Sequence, residues 1–173
     1  PEGRCPLYLN PGLTFGTGSH ASTQLCLEGV EEHTVPGKSV IDLGCGSGIL
    51  SIAALSLGAS HAVAVDIDPK AVDVAYENAA LNGIGKDRYL VRAGDVISDT
   101  ALANELSAQK YHLVLANIVA DVIMGLAPVL KHFMDENTKV KAGDVLAVFE
   151  TDALLEKIEC FSQITFSIAN QTE

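Results

Sequence analysis

An alternation that begins at Lys38 constrains this chain more than any other feature of it. "SVIDLGCG" is a short β-branched, apolar run that ends in glycines, and "GILSIAALSLG" follows it with apolar residues at helical spacing as far as Gly58. "HAVAVDID" repeats the first pattern and "PKAVDVAYENAALNG" the second. The short apolar runs fit strands buried on both faces, and the longer periodic stretches fit helices with one apolar side. Such an order implies parallel strands joined by right-handed crossovers, with helices on both faces of the sheet. The pattern goes on to predict a strand in "RYLVRAGD", a helix over Ser98 to Gln109 and a strand in "YHLVLANI". A helix follows in "DVIMGLAPVLKHFM", with a kink at Pro128, and then a fifth strand in "DVLAVFE". Local chemistry supports the boundaries: Asp68 can cap a helix, Pro69 suits its first turn, and Asn82-Gly83 ends it. Upstream, "ASTQLCLEGVEEH" predicts an amphipathic helix started by Ser19 or Ser22. After Phe149 the pattern weakens to a helix in "TDALLEKIECF" and a strand in "QITFSIA".

The expected class is therefore α/β, a doubly wound and mostly parallel sheet with an incomplete C-terminal edge. At 173 residues one domain is expected: a lead-in loop and helix over 1–37, a core over 38–150 and an edge over 151–173. With 48% hydrophobic and 19% charged residues, the chain is globular and not disordered. No apolar run reaches the roughly 18 residues of a membrane span, and no signal peptide pattern is visible. Cys5, Cys26, Cys45 and Cys160 form no C-x-x-C pair, and the histidines show no ligand spacing. Both facts argue against a metal site and a disulfide framework, and for a reducing cytoplasm. The net charge of −11 opposes nucleic acid and favours basic partners.

Ligands of such sheets sit beyond the carboxyl ends of the strands, where the strand order reverses. The first strand ends with Gly44, Gly46 and Gly48, which permit a sharp turn and close approach to a ligand. Asp66 ends the second, at about the 20-residue distance from a glycine loop where an acid can accept from both ribose hydroxyls. A nucleoside-containing cofactor follows. A dinucleotide loop would need glycine or alanine where Ile49 stands. Asp42, just before the loop, would repel a pyrophosphate but suit the ammonium of S-adenosylmethionine. Asp95 could accept from an adenine amino group, and Val96 could cover the ring. Asn117 ends the fourth strand.

"DLGCGSGILSIAALSLGA", "VAVDIDPKAVDVAYENAALNG" and "LVLANIVADVIMGLAP" resemble class I methyltransferases, which share a Rossmann-like fold, and in particular the bacterial ribosomal protein L-eleven methyltransferases. "NPGLTFGTGSHASTQLCLE" is similar to that family's signature upstream of the cofactor loop. The resemblance implies that Thr23, Gly44, Asp66 and Asn117 contact S-adenosylmethionine. It implies methyl transfer to amines of a basic ribosomal protein, both lysine side chains and the N-terminal amino group. It also implies that an N-terminal recognition domain of the family is absent from this chain. The glycine-rich opening is then expected to arch over the methionine end of the cofactor, with Phe15 excluding water and Thr17 and its neighbours facing the ligand. Asn117 is expected to position the amine, with His20 the candidate proton acceptor. Two alternatives stand beside this reading: another amine or small-molecule N-methyltransferase, and a non-catalytic cofactor-binding domain. "NIVA" in place of Asn-Pro-Pro-aromatic disfavours glutamine and adenine amino methyltransferases.

Overall fold

The computed structural model describes residues 6–10, 18 and 20–134. The expected fifth strand, the two elements after it, and Phe15, Thr17, Ser19, Cys5 and Cys160 lie outside the described residues. The order is α1 (Ala21–His33), β1 (Ser39–Leu43), α2 (Ile49–Ser56), β2 (His61–Asp66), α3 (Pro69–Leu81), β3 (Tyr89–Ala93), α4 (Thr100–Ser107), β4 (Leu113–Leu115) and α5 (Ala120–Leu130). The four described strands are parallel and lie in the order β3-β2-β1-β4. The chain thus runs outward from β1 through β2 to β3, then crosses back to place β4 on the other side of β1. The carboxyl ends of β1 and β4 flank the switch point.

Alternation along the strands sorts the core into two layers. Val40, Ala62, Ala64, Tyr89 and Val91 pack with Cys26 and Val30 of α1, with most of α2, and with Ala75 and Ala79 of α3. Ile41, Leu43, Val63, Val65 and Val114 pack with Leu102 and Leu106 of α4 and Leu126 and Leu130 of α5. The doubly wound architecture is the one the alternation implies. Arg88 closes the far end of α2, where its guanidinium donates to the carbonyls of Leu55, Ala59 and Ser60. Helix carbonyls left over at a C-terminus need such partners.

Several boundaries depart from expectation. α1 is capped by His20, whose side chain accepts from the Ser22 N–H, and not by Ser22 itself. α4 starts later than Ser98 because Asp99 is the better cap, accepting from the N–H groups of Ala101 and Leu102. β4 pairs over only three residues. Pro128 does stand inside α5, and the helix ends two residues beyond it, at Leu130. Among the described residues no helix is long and apolar enough to cross a membrane, and no group of His, Cys, Asp and Glu is arranged to hold a metal ion.

Candidate cofactor site

The loop after β1 hangs from β2. The Val65 carbonyl accepts the N–H groups of Gly44 at 2.8 Å and Cys45 at 3.1 Å. Gly44, Gly46 and Gly48 all have positive φ (79°, 52° and 78°), so alternate residues curl the chain back toward the sheet. Only glycine does this at little cost. At Gly44 a Cβ would also strike the Ile118 side chain. The end of β4 therefore lies hard against the turn after β1.

Asp66 sits where that loop meets β2. Its Oδ2 accepts the Gly46 N–H at 2.8 Å and its Oδ1 the Asp68 N–H at 2.9 Å. Its carbonyl accepts the Gly94 N–H, tying in the turn after β3. Two backbone donors fix the carboxylate, and each oxygen keeps a second lone pair for a ligand hydroxyl. On the opposite side, Asn117 Nδ2 donates to Thr23 Oγ1 at 3.1 Å, across 94 residues of sequence. Helix α1 is thereby brought to the end of β4 beside the glycine loop, and Asn117 Oδ1 is left to accept from something else.

Residues 2–167 match the model of the family described as "Ribosomal protein L11 methyltransferase (PrmA)". The chain belongs to this family. The protein of that name from Desulfitobacterium hafniense is 47% identical over 146 residues, which make up 84% of this chain and 44% of that protein. The chain spans about half the length of the curated relatives it matches. The crystal structure of the ribosomal protein L11 methylase from Lactobacillus delbrueckii subsp. bulgaricus superposes with a TM-score of 0.68 at 33% identity, covering 92% of this chain and 78% of that one. An RNA methyltransferase from Salinibacter ruber, crystallised with S-adenosyl-L-homocysteine, superposes with a TM-score of 0.54 at 25% identity, covering 65% of this chain and 69% of that one.

Within this PrmA-family chain, the expected residues Thr23, Gly44, Gly46, Asp66 and Asn117 lie around the turn after β1. Four other expected residues have hydrogen bonds or packing of their own. Asp42 is 1% exposed and lies on the β1 face that packs against α2, because it shares that face with Val40. Its Oδ2 accepts from Ser51 Oγ at 2.5 Å and Ser51 N at 3.2 Å, while its Oδ1 is buried without a partner. It does not open onto a ligand's ammonium. Val96 is 6% exposed and packs in the layer of α4 and α5. Asp95 holds its own turn, accepting from Ser98 Oγ at one oxygen and the Ile97 N–H at the other, and like Asp66 it keeps a second lone pair on each. The Ser98 hydroxyl and that amide hold its carboxyl below the ordinary carboxylate range. His20 is occupied as a cap: its Nδ1 accepts the Ser22 N–H and meets Ser22 Oγ at 2.7 Å. A proton taken up at Nδ1 would break the capping bond.

The sequence reading missed two apolar side chains that stand out from the strand ends, Ile67 at 76% exposed and Ile97 at 43%. The signal was present as an isoleucine one or two positions after each acid, in "DIDP" and "DVIS". Ile67 directly follows Asp66 at the end of β2, whereas Ile97 reaches toward α5, where a Cβ at Gly125 would stand 3.1 Å from its Cδ1.

Proposed function

We propose that this chain is the methyl-transfer domain of an enzyme that uses S-adenosylmethionine to methylate amines of a large-subunit ribosomal protein. The acceptors are lysine side chains and the N-terminal amino group. The observation that carries the reading is the Thr23–Asn117 hydrogen bond, which sets a carboxamide beside the glycine loop opposite the carboxylate of Asp66. The donor set fits the group: a buttressed carboxylate for ribose hydroxyls, the exposed Ile67 beside it for adenine, and a turn at Gly44 with no side chain in the way. When bound, S-adenosylmethionine supplies a methyl carbon that an amine nitrogen takes from sulfur as the amine sheds a proton. Asp66 and the glycine loop orient the nucleoside. Asn117, held through its Nδ2 by Thr23, offers Oδ1 to an N–H of the incoming amine and so aims the nitrogen lone pair. A lysine arrives protonated, with a pKa near 10.4 in water. The nearby positive charge of the sulfonium lowers that value, so the proton leaves without a dedicated base. This suits a His20 already engaged as a helix cap. The −11 charge of the chain suits a basic ribosomal substrate, sets it against direct nucleic-acid contact, and goes with a cytoplasmic reaction.

Labelled methyl donor, purified ribosomal protein L11 and this chain test the reading together. Incorporation at lysines and the N-terminal amine is the expected result. Binding of S-adenosylhomocysteine without incorporation would favour a cofactor-binding domain that does not turn over. Asn117→Ala should lower kcat by about 100-fold, the cost of a misaimed nucleophile, and change cofactor affinity only a few-fold. The opposite split would make Asn117 a cofactor contact alone.

A further inference from the structure

The inward face of α3 carries Ala71, Ala75, Asn78 and Ala79. Alanines hold nothing at a distance, and the helix lies close on the glycine loop: a Cβ at Gly48 would stand 3.2 Å from that of Ala75. Asn78 is the polar member of this buried face, at 0% exposure. Its Nδ2 donates to the Ser47 carbonyl at 2.9 Å, inside the glycine loop. Its Oδ1 accepts the Asn10 N–H at 2.7 Å, from the extended segment ahead of α1. One helical turn on, Asn82 holds the same segment, accepting the Tyr8 N–H at 2.9 Å and donating to the Tyr8 carbonyl at 2.7 Å. Asn82 thus satisfies both backbone groups of Tyr8 as a neighbouring strand would, and it also donates to the Asn78 carbonyl. Two asparagines on one ridge of α3 strap residues 8–10 down, and the first of them reaches through to the cofactor loop.

We infer that Asn78 is a positioning residue for the cofactor loop, which it locks by the Ser47 carbonyl and couples to the Tyr8–Asn10 strap. The inference rests on the cofactor reading of the site. A loop with glycines at 44, 46 and 48 has many conformations to lose, and ligand binding must supply that ordering unless the protein does so beforehand. Asp66 pins the loop by the Gly46 N–H, and Asn78 pins it by the next residue's carbonyl. With both peptide groups held, the loop meets the ligand already shaped. The strap contributes because the amide of Asn78 is itself held at Oδ1: an Asn10 N–H in place leaves Nδ2 one direction to point.

Asn78→Asp tests this, because the variant has the same shape. When ionised it turns an acceptor toward the Ser47 carbonyl, and when protonated it can again donate there and accept from Asn10. Affinity for S-adenosylhomocysteine, measured by calorimetry against wild type at each pH, should be about tenfold weaker at high pH, the range for a buried carbonyl left unpaired. The ratio should close toward unity as the pH falls and the carboxyl takes up a proton. A ratio within twofold at high pH, or one that is large but independent of pH, overturns the inference, since lost packing does not titrate. Asn82→Ala is a partly exposed change whose fold is checked by cooperative unfolding, and it should weaken binding about threefold by slackening the strap. Unchanged affinity in that variant overturns the coupling to the strap. Wild type that fails to bind sinks the cofactor reading itself, whereas wild-type binding with indifferent variants sinks only the role of Asn78.

Discussion

Gly48 begins α2 with no side chain to cap it, and Asp42 does the capping from β1. The cost of that arrangement is a buried carboxyl. Burial pushes the Asp42 pKa up to about 6 from 3.8, the two hydrogen bonds from Ser51 offset part of the rise, and the charge of Asp66 adds to it. Between these two values the native state holds a proton that the unfolded chain has released, so stability falls as the pH rises through that window and levels off above it. The difference amounts to roughly 3 kcal/mol. Asp42→Asn keeps an acceptor for Ser51 and removes the titration. Denaturant unfolding at pH 4 and pH 7 should therefore show wild type losing about that much more than the variant; parallel losses would mean the carboxyl titrates as if in water. Gly44→Ala meets two obstacles at once, a φ of 79° and the Ile118 side chain. It should cost at least about 1–2 kcal/mol for the left-handed backbone alone, and calorimetry should find cofactor affinity lost with it. Gly44 and Asp66 were legible in the sequence because a turn and a strand end advertise themselves locally. Asp42 was legible as an acid near the loop but not as a cap. The period-two rule, followed one step further from Val40, places it on the inner face.

Helix starts were readable wherever the cap is one of the usual short polar residues. Asp68 and Pro69 begin α3 as their chemistry demands, and Asn82-Gly83 ends it. His20 is not among those residues, so the start of α1 was placed on its serine neighbours. β4 was overestimated because "YHLVLANI" is apolar throughout. Pairing stops where β4 leaves β1, and Ala116 onward serves the core and the site instead. The His20 cap separates two accounts of one residue. If it acts through α1, His20→Ala should lower stability by about 1 kcal/mol. Methyl transfer should fall modestly as Thr23 shifts, with the pH–rate profile unmoved. A profile that loses a limb while the melting temperature holds would restore the proton-acceptor role.

Strand order lies beyond local pattern. The apolar pattern predicts a strand in "YHLVLANI", but its place beside β1 comes from packing across the whole sheet. The Thr23–Asn117 bond depends on that placement, which is why the resemblance to a family, and no spacing, pointed to the pair. Charge is the other property that belongs to the molecule as a unit. A chain at −11 attracts a basic protein over the screening length, about 10 Å at 0.1 M salt. The proposed nucleoside site relies on short contacts to Asp66, Ile67 and the glycine loop, which salt screens far less. Raising salt from about 50 to about 200 mM should therefore raise the KM for the ribosomal protein several-fold. Calorimetric affinity for S-adenosylhomocysteine should hardly move over the same range. Should both constants shift together, salt would be acting on the fold or the loop. Should neither shift, the acidic surface would be serving solubility, and recognition of the substrate would rest on contacts other than charge.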